Sequence, residues 1–161
     1  MNNTSEWVTR IAQEVVKQLE QTKSTPSCDE LGIFETVDEA IQAAHRAYRQ
    51  LHTHSVEERG RFISAIRACA VEESEQISYM AVKESQMGRA SDKILKNMAA
   101  ALNSPGIEDL DKSCWSGDKG LTLVERGAYG VIGSITPTTN PTETIICNSI
   151  GMISAGNAVF F

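Results

Sequence analysis

The fold is decided by residues 130–161, GVIGSITPTTNPTETIICNSIGMISAGNAVFF. The run Val131–Ile135, which is apolar apart from Ser134, is typical of a strand that is buried on both faces. A short loop follows, then a predicted helix from Pro141 to Ala155 that ends around Gly156, and a second strand begins at Ala158. Strand, helix and strand in this order predict the start of a parallel βαβ unit, and therefore an α/β fold.

The loop between the strand and the helix is the most specific part of the chain. Asn140, Pro141 and Glu143 are residue types favoured at the N-cap, first and third positions of a helix. The helix therefore presents its unpaired N–H groups at the carboxyl end of the strand, where ligands of open α/β sheets bind. Two nearby glycine patterns are not nucleotide fingerprints: GAYGVIG lacks the G-x-G-x-x-G spacing, and GMISAGNA has Asn157 where a phosphate-binding loop has lysine.

Residues 33–103 are predicted to be helical. Capping boxes begin at Thr36 and Ser55, each with a glutamate three residues later. The second box opens one long helix that ends near Gly88, and a third helix starts at Ser91. We expect the apolar stripes of these two helices to be core; their members are Phe62, Ile66, Cys69, Ala70, Ile77, Met80 and Ala81, then Ile94, Leu95, Met98 and Leu102.

The chain divides into three parts. Residues 1–21 are predicted to form an amphipathic helix, residues 22–32 a polar linker, and residues 33–161 a domain that also has a strand at LTLVE, residues 121–125. The apolar face of the first helix consists of Val8, Ile11, Val15 and Leu19. Because an isolated helix of this length is marginal in water, the face either packs on its own domain or docks on another protein, and the pattern leaves both open.

Composition and charge exclude several classes of function. The 161 residues carry a formal net charge of -6 without a cluster of lysines and arginines, so no nucleic acid is expected to bind. No apolar run is long enough for a membrane span, and the first residues are too charged for a signal peptide, so we predict a cytoplasmic protein. The four cysteines are far apart and His52 and His54 lie in a predicted turn, so neither a disulfide nor a metal site is expected.

Three segments carry a family resemblance: GVIGSITPTTNPTETIICNSIGMISAGNAV and, upstream, ESQMGRASDKILKN and GLTLVERGAYGVIG. They resemble the CoA-acylating aldehyde dehydrogenases of bacterial microcompartments, of the ethanolamine- and propanediol-utilisation type. The resemblance implies the aldehyde dehydrogenase fold, with N-terminal helices and the start of a Rossmann-like parallel sheet. Residues 33–161 are then an incomplete N-terminal cofactor-binding domain, and we expect a reading frame that is truncated in its first βαβ unit.

The resemblance also implies a reaction. Such enzymes convert an aldehyde, coenzyme A and NAD to an acyl-CoA and NADH through a cysteine thioester. The nucleophilic cysteine is expected beyond residue 161, so the 161-residue chain alone is predicted to be inactive. Cys147 is expected to be a buried structural thiol instead. A non-acylating aldehyde dehydrogenase is the enzymatic alternative.

The loop is where a contribution to this chemistry is expected. Thr139 stands where many aldehyde dehydrogenases have an asparagine that donates to the oxyanion. Asn140 follows it and is predicted to cap the helix with its carboxamide oxygen, which leaves the amide nitrogen available for the same task. The expected wall for the nicotinamide half of the cofactor consists of Ile135, Thr136, Pro137 and Thr138.

The first helix and the linker resemble an encapsulation peptide, which docks an apolar face on shell proteins. This implies shell proteins as partners, the microcompartment lumen as the location, and a homo-oligomeric full-length enzyme that acts on a small aldehyde. The alternative is a fragment without catalysis that acts only through its docking helix.

Overall fold

The computed structural model describes residues 32–161. The chain divides into two units, Met1–Thr36 and Val37–Phe161, and the fold below is that of the second unit. The predicted docking helix, and all but the last residue of the predicted linker, lie outside the described residues. Both therefore stay predictions.

Four helices occupy the first half of the second unit: α1 (Val37–Leu51), α2 (Val56–Glu72), α3 (Ser74–Ser85) and α4 (Ala90–Asn103). The predicted capping box at the start of α2 is confirmed. The Ser55 hydroxyl accepts a hydrogen bond from the backbone N–H of the glutamate three residues later (3.2 Å), and that glutamate's carboxylate accepts one from the serine N–H (2.8 Å). The helical character of this half is as predicted, but the number of helices is not.

The long second helix of the prediction is two helices. The break lies at Glu73, whose ψ of 1° is not helical and whose N–H still donates to the carbonyl of Cys69 (2.9 Å). The chain resumes as α3 at Ser74, and α3 ends at Gln86 in the left-handed conformation (φ 55°). A break of one residue barely disturbs the spacing of apolar residues, so the periodicity could not reveal it.

An antiparallel hairpin follows a short 3-10 helix, Ile107–Asp109. Its strands, β1 (Ser113–Gly117) and β2 (Gly120–Val124), pair along their whole length, with Trp115 opposite Thr122. β2 confirms the strand predicted at LTLVE, whereas the sequence of β1, SCWSG, has no pattern that predicts a strand. Every residue of both strands is exposed.

The predicted βαβ unit is present. β3 (Val131–Gly133), α5 (Pro141–Ser154) and β4 (Ala158–Phe160) follow in order, and β3 pairs with β4 in parallel. The prediction of a first strand buried on both faces is wrong: β3 is half-buried at most, and Ile135 lies beyond its end and is 95% exposed. The apolar run is longer than the strand because its last residue already belongs to the loop.

A turn around Gly156 closes α5 onto β4. Gly156 has a φ of 85°, and its N–H donates to the carbonyl of Ile153 (3.0 Å) while the N–H of Asn157 donates to Met152 (2.8 Å), which is the Schellman arrangement. The side-chain oxygen of Asn157 accepts from two backbone N–H groups just before β3, at 2.6 and 3.0 Å. The glycine pattern GMISAGNA thus lies in a helix and its C-terminal turn.

The core lies between α2, α4 and α5. Its buried apolar residues are Ile63, Ala70, Ala101, Ile146 and Ile150. The prediction that Cys147 is buried is wrong, because this side chain is exposed. Successive residues of a helix point about 100° apart, so a face that buries the isoleucines before and three residues after Cys147 turns the thiol outward.

α4 presents a polar and small face to its neighbours, not the predicted apolar stripe. Lys93, Asn97 and Ala101 recur every four residues and are buried. Asn97 donates from Nδ2 to a buried serine hydroxyl of α3 (2.8 Å). Leu95 and Leu102, predicted to be core, are 68% and 55% exposed. Contacts with other helices therefore decide which face of α4 is buried.

Candidate functional site

The loop between β3 and α5 begins at a well-anchored serine. The N–H of Ser134 donates to the carbonyl of Phe160 (2.8 Å), which continues the parallel ladder one residue beyond β3. The Ser134 hydroxyl accepts from Nδ2 of Asn148 on α5 (2.9 Å). The sheet and the helix together fix the point at which the loop leaves the strand.

The middle of the loop is open to solvent. Ile135 is almost fully exposed, Thr136 is half-buried, and Pro137 and Thr138 are exposed. The N–H of Asn140 donates to the carbonyl of Pro137 (3.2 Å), which closes the loop as a tight turn. The four residues predicted to form a cofactor wall thus make a short accessible surface at the carboxyl end of β3.

Asn140 begins α5, but its side chain does not cap the helix. Its backbone carbonyl accepts from the N–H (3.2 Å) and the hydroxyl (2.7 Å) of Thr144, and Pro141 occupies the first helical turn as predicted. The carboxamide makes no capping hydrogen bond; its oxygen accepts from Nζ of Lys96 on α4. The predicted capping interaction is wrong because a cation from another helix engages the oxygen.

The same ammonium group pairs with Glu143. Nζ of Lys96 lies 3.2 Å from Oε1, in an ion pair without the alignment of a hydrogen bond, and the Thr142 hydroxyl donates to Oε2 (3.1 Å). Burial raises the pKa of the Glu143 carboxyl, but the hydrogen bond with its own backbone N–H and the nearby Lys96 ammonium outweigh it. The pKa is therefore held below its usual value of 4.5, and the group is ionised at neutral pH.

A second lysine of α4 binds the preceding residue of the loop. Lys93 is 3% exposed, and its Nζ donates to the backbone carbonyl of Thr139 (2.8 Å). Thr139 and Asn140 are thus held by two lysines of one helix, the first through its backbone and the second through its side chain. The role of neither lysine could be predicted from the sequence, because no local pattern predicts contacts between residues more than 40 positions apart.

A cavity of about 470 Å³ lies away from the loop. It is lined by Arg59, Lys112 and Arg126, among others. Lys112 pairs with Glu125 (2.9 Å), and Arg59 donates to the carbonyl at the end of α5 (2.8 Å).

Within residues 32–161, no three His, Cys, Asp or Glu side chains lie close enough to share a metal ion. Among the same residues, no helix has both the length and the apolar character that a membrane span requires.

Comparison with known sequences gives consistent matches. The model of the aldehyde dehydrogenase family matches residues 11–161. The chain is 43% identical over 160 residues to a CoA-propanoylating propanal dehydrogenase of Salmonella typhimurium. The aligned region covers 99% of this chain and 34% of that protein. It is 43% identical over 143 residues to an acetylating acetaldehyde dehydrogenase of Escherichia coli, which covers 88% and 30%. The chain thus spans about a third of the length of these curated relatives.

Solved structures match the fold. The propionaldehyde dehydrogenase from a fucose-utilisation microcompartment of Clostridium phytofermentans superposes with a TM-score of 0.77 at 50% identity, over 80% of this chain and 29% of that chain. The Rhodopseudomonas palustris propionaldehyde dehydrogenase with bound CoA and an acylated cysteine gives 0.77 at 52% identity, over 80% and 30%. These matches confirm the resemblance to CoA-acylating microcompartment enzymes and the predicted N-terminal part of their fold. The chain belongs to the aldehyde dehydrogenase family.

Proposed function

We propose that the loop between β3 and α5 forms part of the cofactor and oxyanion site of a CoA-acylating aldehyde dehydrogenase. Such an enzyme converts an aldehyde, coenzyme A and NAD to acyl-CoA and NADH. The observation that carries the proposal is the open loop at the carboxyl end of β3, held by two lysines of α4. The names of the matched relatives, CoA-propanoylating and acetylating, favour this reaction over a non-acylating one. Because the chain spans a third of those relatives, the activity is that of the whole enzyme.

The loop residues fit the nicotinamide half of the cofactor. Ile135 offers an exposed apolar side chain at the sheet edge where ligands of α/β folds bind, which suits the face of a flat ring. NAD supplies the acceptor for the hydride that leaves the aldehyde carbon. We assign to Ile135, Thr136, Pro137 and Thr138 the task of holding the ring by van der Waals contact and excluding water from it.

Asn140 is our candidate for the oxyanion donor. Its oxygen accepts from Lys96, and its amide nitrogen has no hydrogen-bond partner within residues 32–161. An N–H donor to the oxygen of the reacting aldehyde is worth about 3 kcal/mol in comparable sites. Thr139, which is exposed, offers a hydroxyl beside it. The cysteine nucleophile is expected outside these 161 residues.

We also propose that residues 1–21 dock on microcompartment shell proteins, so that the enzyme works in the lumen. The support is the apolar spacing in the predicted helix and the microcompartment origin of the propionaldehyde dehydrogenase from C. phytofermentans. The proposed contact face consists of Val8, Ile11, Val15 and Leu19. Homo-oligomerisation of the whole enzyme stays a prediction.

The reaction is tested in a hybrid enzyme in which this chain replaces the matching third of the Salmonella propanal dehydrogenase. We expect NADH to form from propanal and NAD, with a requirement for CoA. Ile135→Ala should raise the KM for NAD several-fold, whereas Leu95→Ala, which shortens an exposed side chain of α4, should not. A folded hybrid that forms no NADH would contradict the proposal, and one that forms it equally well without CoA would favour the non-acylating reaction.

A further inference from the structure

The carboxamide oxygen of Asn140 has two competing partners. Asparagine is among the best N-cap residues, because its oxygen accepts from the free N–H groups of the first helical turn. In this structure the oxygen accepts from Lys96, and the first turn of α5 has no side-chain cap. We propose that the ion pair between Lys96 and Glu143 is a positioning device that keeps Asn140 from capping α5 and turns its amide nitrogen outward as the donor of the loop.

The orientation of the carboxamide follows from the chemistry of lysine. An ammonium group has three donors and no acceptor, so only the oxygen of Asn140 can face it. The amide nitrogen therefore points away from Lys96, and no group within residues 32–161 engages it. A capping carboxamide would instead direct its oxygen at the helix N–H groups, and the amide nitrogen would move with it. The two orientations exclude each other.

Glu143 keeps the ammonium of Lys96 in place. The lysine side chain is half exposed and flexible, so without a partner its charge would favour water. The Glu143 carboxylate is largely buried and is held by the Thr142 hydroxyl. It also lies in the first turn of α5, where the helix dipole favours a negative charge. Glu143 therefore holds the ammonium group of Lys96 in place, and Lys96 in turn sets the orientation of the Asn140 carboxamide.

This inference rests on the proposed function, because it concerns the positioning of the proposed oxyanion donor. If the ion pair only tied α4 to α5, its loss would lower stability. If it positions Asn140, its loss frees the carboxamide oxygen to cap α5, and an N-cap stabilises a helix about as much as a partly exposed ion pair does. Loss of turnover without loss of stability therefore separates the two roles.

The test uses the hybrid enzyme, which keeps all 161 residues. Lys96→Met removes the donors at nearly constant length. We expect kcat to fall about 10- to 100-fold, since losing an oxyanion donor outright costs about 100- to 1,000-fold. The KM for NAD should stay within about twofold and the Tm within about 2 °C. Lys96→Arg, which also carries only donors, should bring kcat back to within about fivefold of the parent.

A control is Lys112→Met, which removes a more exposed lysine–glutamate ion pair, to Glu125 (2.9 Å), away from the loop. It should leave kcat unchanged. A second readout is the crystal structure of the hybrid with Lys96→Met, in which the Asn140 oxygen should face the N–H groups of α5.

Four results would overturn the inference. They are full activity with Lys96→Met, no recovery with Lys96→Arg, a fall in kcat matched by a large fall in Tm, and an Asn140 carboxamide that has not moved in the crystal structure. An inactive parent hybrid would instead refute the proposed function, and the inference would fall with it. The inference fails on its own only if the parent hybrid is active. Its failure can therefore be distinguished from a failure of the proposed function.

Discussion

Replacing Gly156 or Gly151 by alanine should change stability in opposite directions. Gly156 has a φ of 85°, and an L residue in this left-handed conformation costs about 1–2 kcal/mol. Its new Cβ would lie 2.7 Å from Nη1 of Arg59, which donates to the carbonyl of Ser154 (2.8 Å). Displacing the guanidinium would forfeit a charge-assisted hydrogen bond of about 1.5–3 kcal/mol. We expect Gly156→Ala to cost roughly 2.5–5 kcal/mol in total.

Gly151 is the matched control. It lies within α5 and is exposed, and a Cβ there meets no heavy atom within 4 Å. Alanine is the better helix former, so Gly151→Ala should stabilise the chain by about 0.5–1 kcal/mol. The same substitution at two glycines of one segment thus separates the effect of the turn from the general effect of removing a glycine.

Urea unfolding of the 161-residue chain, followed by circular dichroism, measures both effects. With a slope of about 2 kcal/mol per molar urea, the midpoint should fall by about 1.3–2.5 M for Gly156→Ala and rise by about 0.3–0.5 M for Gly151→Ala. Arg59→Met should make Gly156→Ala less costly, because the clashing guanidinium is then absent. Additive costs in the double variant, or a Gly156→Ala chain as stable as the parent, would refute the steric reasoning.

Three further predictions concern charge, activity and docking. The pKa of the Glu143 carboxyl is held below 4.5, so its contribution to stability is complete above that pH and is lost as the pH falls through the lower folded-state pKa. Glu143→Gln should remove this part of the acid dependence of the urea midpoint, and an unchanged dependence would contradict the prediction. The 161-residue chain alone should form no NADH from propanal, CoA and NAD above a protein-free control, and any formation above that control would place a nucleophile within the chain. A fluorescent protein fused to residues 1–21 should enter microcompartments, and Ile11→Glu with Val15→Glu should keep it diffuse while Arg10→Gln should not. A diffuse parent fusion in cells with intact shells would instead favour packing of the helix on its own domain.

Several helix ends could be predicted because local chemistry sets them, although the break at Glu73 could not. Asn140 and Pro141 open α5, the left-handed Gly156 closes it, and the Ser55 capping box opens α2. Each of these signals acts within a few residues of the chain, so it is fully contained in the sequence. The parallel pairing of β3 and β4 follows from these ends, since a helix between two strands brings them side by side in parallel.

The buried faces could not be predicted to the same degree. Ile135 and Leu95 are apolar and exposed, and Cys147 points away from the core although its neighbours in the sequence are buried. Hydrophobic spacing shows that a helix has an apolar side, but the neighbouring elements decide which side is covered.

The loop could be recognised from the sequence, but the two lysines of α4 that hold it could not. The loop is marked by prolines and threonines, whereas Lys93 lies in a helix whose pattern gives no reason to bury a charge. Burial of an ammonium group is costly unless acceptors receive it, and the acceptor here is the carbonyl of Thr139 (2.8 Å). The packing of α4 and the conformation of the loop therefore stabilise each other. Neither is specified by its own segment, so the support of the site becomes visible only when α4 and α5 are packed together.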